Sequence, residues 1–250
     1  MFALGTPVLC TLVILAQSGW SASGGRESFS YRDVARAGPP ADASPVEWTG
    51  IGPSLFVIYE RTNEKRAHRF NVDVASAGSF AYEGPVRRVA APSNDSACRL
   101  EGRYEYRRNY FRDKFLRGLD IPLGVQGLSR RLTLEREVNG TQTFASTSLG
   151  VAGSIGARFH RWNRWSVDVA WVNGMAALWE HDSYSVDALS DVHLHGGGWL
   201  TDLSASGRVR VAGHASLTAA WLRTNEGNYA NHHNYVFSRQ RLTMGVTYDR

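Results

Sequence analysis

RFNVDVASAGSFAYE, running from Arg69 to Glu83, is the stretch whose reading decides the fold. Phe70, Val72, Val74, Phe80 and Tyr82 share one parity, and Asn71, Asp73, Ala75, Ala77, Ser79 and Glu83 the other. A period of two belongs to a strand, whose successive side chains leave the sheet on opposite sides; here one side suits an apolar medium and the other suits water or a packed polar interior. The rhythm returns in Leu149, Val151, Ile155 and Phe159 against Ser148, Ala152, Ser154 and Arg158, and in Trp165, Val167, Val169 and Trp171 against Ser166, Asp168 and Ala170.

The 250 residues suffice for one domain behind a short leader. Met1 to about Ser23 has the outline of a secretory signal, with an apolar core from Val8 to Ala16 and the small residues Ser21, Ala22 and Ser23 at a cleavable end, although the first basic residue is Arg26. This divides the chain into residues 1–23 as signal peptide and 24–250 as the mature domain. No later run reaches the roughly 18 apolar residues of a membrane-spanning helix, so a membrane form must be a closed barrel. Cys10 leaves with the leader and Cys98 then stands alone, which excludes a disulfide-stapled domain. The net charge of +5 is spread among acids, as in Arg103, Glu105 and Arg107, rather than gathered on one face with stacking aromatics, and nucleic acid is not an expected partner.

The connections alternate in length. Tight turns are expected at 62–65, 115–118, 161–164 and 212–214, and longer loops at 84–97, 137–141, 183–191 and 225–234. With a ragged first strand at Ser28 to Val34, the predicted architecture is all-β: a closed antiparallel up-and-down transmembrane β-barrel of about ten strands (8–12), both termini on the short-turn side. Between Val125 and Leu132 the apolar residues change parity, so a β-bulge is expected there. Aromatics fall towards the strand ends: Tyr59, Trp162, Trp165 and Tyr248 by the short turns, Tyr82, Trp179, Trp199, Tyr229 and Tyr235 by the long loops. Two such belts are what the two interfaces of a bilayer select.

The C-terminal residues Leu242-Thr243-Met244-Gly245-Val246-Thr247-Tyr248-Asp249-Arg250 resemble the terminal strand signature of bacterial outer-membrane β-barrel proteins. Thr243, Gly245 and Tyr248 match it, and Arg250 stands where the class prefers an aromatic. The resemblance spans roughly residues 27 to 250 with the strand pattern. It implies residence in the bacterial outer membrane of a Gram-negative envelope among its lipid and lipopolysaccharide, insertion by the barrel assembly machinery through the last strand, and a periplasmic C-terminus. It implies no activity, because one fold hosts many functions.

A barrel of this size has a narrow lumen. The polar-parity residues Arg103, Glu105, Arg107, Asp202, Arg208, Arg210, Arg239 and Arg241 are expected to fill it as a paired ladder. Catalytic residue types collect only at the loop end. The pair Asp191 and His193 resembles half of the omptin protease site, and His181 with Ser183 resembles the His-x-Ser of outer-membrane lipid A deacylases, where a His activates a Ser nucleophile. The second acidic pair of the former is missing, and the third member of the latter is left open between Asp187 and Asp191. His193 and His195 share a strand face, and His232 or His233 could close a metal site with them. No cofactor motif is present. The leading expectation is a barrel with a mostly plugged polar lumen and a structural or surface-interaction role. The rivals are a barrel enzyme, lipid A deacylase-like or omptin-like, at the His-rich rim, and a soluble exported lipocalin-like binder with its apolar parity turned inward.

Overall fold

The structure, a computed structural model, describes residues 18–35, 46–62, 66–77, 80–83, 96–112, 118–137, 141–161, 164–184, 192–230 and 233–249. These form β1 (Ser18–Ala35), β2 (Val46–Thr62), β3 (Arg66–Ala77), β4 (Phe80–Glu83), β5 (Ser96–Arg112), β6 (Leu119–Glu137), β7 (Thr141–Arg161), β8 (Trp165–Tyr184), β9 (Val192–Ala212), β10 (Ala215–Ala230) and β11 (His233–Tyr248). Each strand pairs antiparallel with its neighbours, and β1 closes the sheet by laddering with β11 on one side and β2 on the other. β3 and β4 both pair with β2, with a one-residue slip of register between them, so they are two pieces of one stave in a closed ten-stave barrel. Closure removes the unpaired edges an open sheet would present.

Face assignment follows from exposure. Val125 and Val151 are each 62% exposed, Leu242 61% and Met244 72%, while the opposite parity holds Glu27, Asp73, Arg99 and Glu101 at 2% or less. The apolar parity looks outward and the charged parity is enclosed, the reverse of a soluble lipocalin-like barrel. Trp20, Phe70, Phe159, Trp165 and Tyr248 ring the outer wall near the turn end.

β7 and β9 are each 21 residues long. At about 3.3 Å per residue and a tilt of about 40° such a strand rises roughly 50 Å, well beyond a hydrocarbon core of about 30 Å. In the surplus at the loop end the two faces exchange character. Phe29, Tyr31, Leu132, Leu134, Trp179, Leu194, Tyr235 and Phe237 pack into one buried cluster inside the barrel, while Arg32, Ser129, Arg131, Glu135, His195 and Gln240 stand exposed outside.

Several expectations are corrected. β1 is not a ragged piece starting at Ser28; it runs from Ser18 and ladders along its length with β11 and β2. Residues 1–17 lie outside the described residues. No bulge separates Val125 from Leu132, because the register of β6 with β5 and β7 is continuous there; the parity changes because Leu128, Leu132 and Leu134 turn into the lumen. Most of the loop expected at 225–234 is strand, since β10 continues to Ala230 and β11 starts at His233. Its polar residues read as loop because Glu226 and Asn228 are ladder positions facing inward, both buried. The short turn after β9 holds Gly213 at φ 42°, a backbone angle that glycine adopts without a Cβ clash.

Candidate functional site

At mid-height the lumen is crossed by a network of buried ion pairs. From β5, Arg99 donates to both carboxylate oxygens of Glu27 on β1, at 2.6 and 2.5 Å, and to Asp73 Oδ1 on β3 at 2.9 Å. From the facing wall, Arg239 on β11 donates through Nη2 to Glu101 Oε1 at 2.7 Å and through Nε to Thr224 Oγ1 at 3.0 Å, and Arg241 pairs with Asp73. Arg103 bridges Glu101 at 2.5 Å and Asp202 on β9. Beside these, Arg130 meets Glu226 at 2.6 Å, and Glu226 also accepts from Ser148 and Asn228, each at 2.8 Å. Five guanidinium groups (Arg99, Arg103, Arg130, Arg239, Arg241) thus face five carboxylates (Glu27, Asp73, Glu101, Asp202, Glu226). Charges taken from water are tolerated only when so paired and hydrogen-bonded.

Arg130 joins this network to the aromatic layer, lying over the Phe237 ring at 4.1 Å, and Arg241 lies at 4.2 Å over Phe56, the β2 residue opposite Asp73. Gly50, facing the same layer, leaves room for the Phe29 ring, whose nearest carbon would lie 2.8 Å from a Cβ there. On the turn side of the plug, Arg107 pairs with Glu105 at 2.7 Å, Arg69 with Glu60 at 2.8 Å and Arg158 with Asp168 at 2.5 Å. A cavity of about 30 Å³ lined by Arg69, Arg107, Ser154 and Asp168 lies among them, room for about one or two water molecules.

Of the residues singled out for the lumen, Arg103, Glu105, Arg107, Asp202, Arg239 and Arg241 lie in these networks. Arg208 sits at the turn-end mouth, paired with Asp249. Arg210 is exposed on the rim and donates to the Gly213 carbonyl at 2.5 Å. Sequence reasoning missed Glu27, Asp73, Arg99, Glu101, Arg130 and Glu226 as plug members. Arg99 and Glu101 were visible as polar-parity residues continuing the Arg103 ladder of β5, and Asp73 as a polar-parity residue of β3. Glu27 fell in the supposed loop-rich start and Glu226 in a supposed loop.

The outer-wall aromatics Trp165, Trp199 and Tyr248 are 41%, 38% and 40% exposed, and Trp199 Nε1 donates to Tyr229 Oη at 3.1 Å. Tyr59 stacks obliquely on Phe70. Trp179 departs from the expected belt: it is fully buried in the lumen cluster, its indole donating to Ser146 Oγ at 2.9 Å. The cause is a bulge between Ala176 and Trp179, which sends Leu178 outward and Trp179 inward. Tyr235, grouped with it, stacks on Tyr31 and Trp179 inside the barrel. Tyr82 lies on β4, and Trp162 lies outside the described residues.

The rim candidates are only partly described. β8 carries His181 opposite Ser146 and Leu194, and Ser183 opposite Phe144 and Val192; β9 carries His193 opposite Asp182. Asp187, Asp191 and His232 lie outside the described residues. His195 is 70% exposed on the outer wall, 3.8 Å from Glu180. Among the described residues no three groups converge as a metal site.

A closed ten-stave antiparallel barrel, apolar outside and ionic within, is the fold of bacterial outer-membrane β-barrel proteins. The outer membrane protease OmpT from Escherichia coli superimposes with a TM-score of 0.71 at 8% identity, over 94% of this chain and 97% of that one. Other similar structures are the Neisserial surface protein A, with TM-score 0.36 and 11% identity over 92% and 97% of the two chains, and the toluene transporter TodX of Pseudomonas putida, with TM-score 0.37 and 9% identity over 95% and 90%. No protein-family model matches the sequence, and no curated protein matches it. At these identities the likeness carries the fold and nothing of the chemistry.

Proposed function

We propose that the chain resides in the bacterial outer membrane as a sealed barrel, serving envelope structure or surface interaction rather than solute passage. The observation that carries this reading is the plug: Arg103 to Asp202 and Arg239 to Glu101 join opposite walls of the lumen, and the aromatic cluster caps them on the loop side. In this reading the apolar outer wall faces acyl chains, the surrounding lipid and lipopolysaccharide are the standing partners, and β11 is the segment handed to the barrel assembly machinery.

Two measurements test it. Cells washed with high salt should retain the protein in the membrane fraction until detergent is added; release by salt alone refutes membrane residence. The purified chain in planar bilayers should show no stable open conductance, and a steady open-pore current refutes the seal.

A further inference from the structure

On the outer wall of β2, β1, β11 and β10, just on the loop side of the apolar band, lies an open depression of about 990 Å³. Small side chains make its floor: Ser28 and Ser30 on β1 and Ser238 on β11, with Ile51 and Thr49 on one flank and Arg223 and Asn225 on the other. The register sets Ser28 beside Gln240 and Gln240 beside Arg223, with Arg26 one outward position nearer the band and next to Leu242. That volume matches a headgroup-sized ligand rather than a single ion, since ligand pockets run from about 300 to 1,000 Å³.

The charge here is one-sided. Arg26 and Arg223 are exposed, and among the described residues neither has an ion-pair partner, in contrast to the paired arginines of the lumen. The outward positions of β2 from Thr49 to Tyr59, of β1 from Trp20 to Arg32, of β10 from Leu217 to Tyr229 and of β11 from Val236 to Tyr248 carry no acid; Glu47, at the same parity one position beyond Thr49, stands opposite Arg32. Immediately towards the turn end the wall becomes a ridge of Leu55, Leu242 and Met244, exposed by 55%, 61% and 72%. A cationic shelf flush with an apolar ridge fits an amphiphile whose charge and chains are joined, and a soluble anion would leave the ridge unused.

We propose that this shelf binds one phosphate-bearing lipid of the leaflet at the loop end. Arg26 and Arg223 hold the phosphate oxygens through charge-assisted hydrogen bonds. Gln240 and Asn225 reach the neighbouring hydroxyl groups, and the acyl chains lie along Leu242 and Met244. The site rests on the membrane residence proposed above and adds a lipid class to it.

The test uses the full chain in non-ionic detergent, titrated with lipid A carrying its phosphates and with the same glycolipid dephosphorylated, and read by native mass spectrometry. Wild type should prefer the phosphorylated form. The double variant Arg26→Gln, Arg223→Gln should lose about tenfold or more of that affinity and bind the dephosphorylated lipid as wild type does. Arg26→Lys with Arg223→Lys should keep most of the preference, and Arg131→Gln, an exposed arginine on β6 away from the shelf, should keep all of it. Equal binding of both lipids by wild type, an unchanged double variant, or an equal loss in Arg131→Gln overturns the proposal. Insertion into vesicles, followed in parallel by the heat-dependent shift in gel mobility, separates the two claims. A wild type that inserts but shows no phosphate preference ends the lipid site alone, whereas one that does not insert ends membrane residence and the site with it.

Discussion

Val125 and Leu132 belong to one uninterrupted strand, yet Val125 is 62% exposed on the outer wall and Leu132 is 3% exposed inside the lumen. The first lies in the apolar band, where the barrel is greasy outside and ionic inside. The second lies in the loop-end zone, where the barrel is polar outside and aromatic inside. Both zones obey the same rule, that apolar surface goes where water is absent. In the membrane setting proposed above, that place is the outer wall within the band; beyond the band the outer wall is wet and the only dry place left is the lumen. The two interiors therefore depend on different forces, ion pairs in one and packed rings in the other.

The sharpest way to break this comparison is to unbalance the ionic interior. Arg239→Ala would leave Glu101 and Asp73 short of a partner in a buried network, and breaking one side of a buried pair costs about 3–5 kcal/mol. Urea unfolding of the protein folded into vesicles should show a loss of that order. A loss below about 1 kcal/mol would mean that water reaches the plug. Next in size is a charge on the outer wall of the band. Val169→Arg should cost about 2–4 kcal/mol in the same assay if the site faces acyl chains near the bilayer midplane. A neutral result there would move the band off the membrane.

Much of the band could be read from the sequence, because a two-residue alternation maps directly onto the two faces of a strand. Phe70, Val72 and Val74 against Asn71 and Asp73 needed nothing beyond parity. The loop-end zone was opaque for the same reason. There the rule of faces inverts, so Leu132 and Leu134, following the inward Leu128, imitate a bulge; Glu226 and Asn228 imitate a loop for another reason, being polar, inward and buried beside the plug. Trp179 was misplaced by a bulge at Ala176 and Ala177, a shift set by the register of β8 against its neighbours and invisible to a count of parity along one strand. The partners within the plug were beyond reach, since Arg99 meets Glu27 and Arg239 meets Glu101 only when ten staves close into a ring.

The aromatic interior should yield to a gentler change. Trp179→Phe keeps a ring against Tyr235 but removes the indole donor, leaving Ser146 Oγ buried without its partner at 2.9 Å. That should cost about 1–3 kcal/mol, measurable as a lower unfolding midpoint with an unchanged slope.

The smallest expected effect locates the boundary between the zones. Ser129 follows Val125 at the second outward position along β6, with Gly127 between them, and is exposed beside Arg131. Replacing it by Arg puts on the outer wall the same charge that is costly at Val169. In the loop-end zone, however, that wall is wet, and an exposed polar substitution there should shift the midpoint by no more than about 0.5 kcal/mol. A penalty approaching that of Val169→Arg would show acyl chains reaching past Ser129, and Leu132 would then lie in the lumen for a reason other than a wet outer wall. Since both variants gain the same side chain on the same face of the same sheet, the difference between them measures the surroundings of the wall and not its composition.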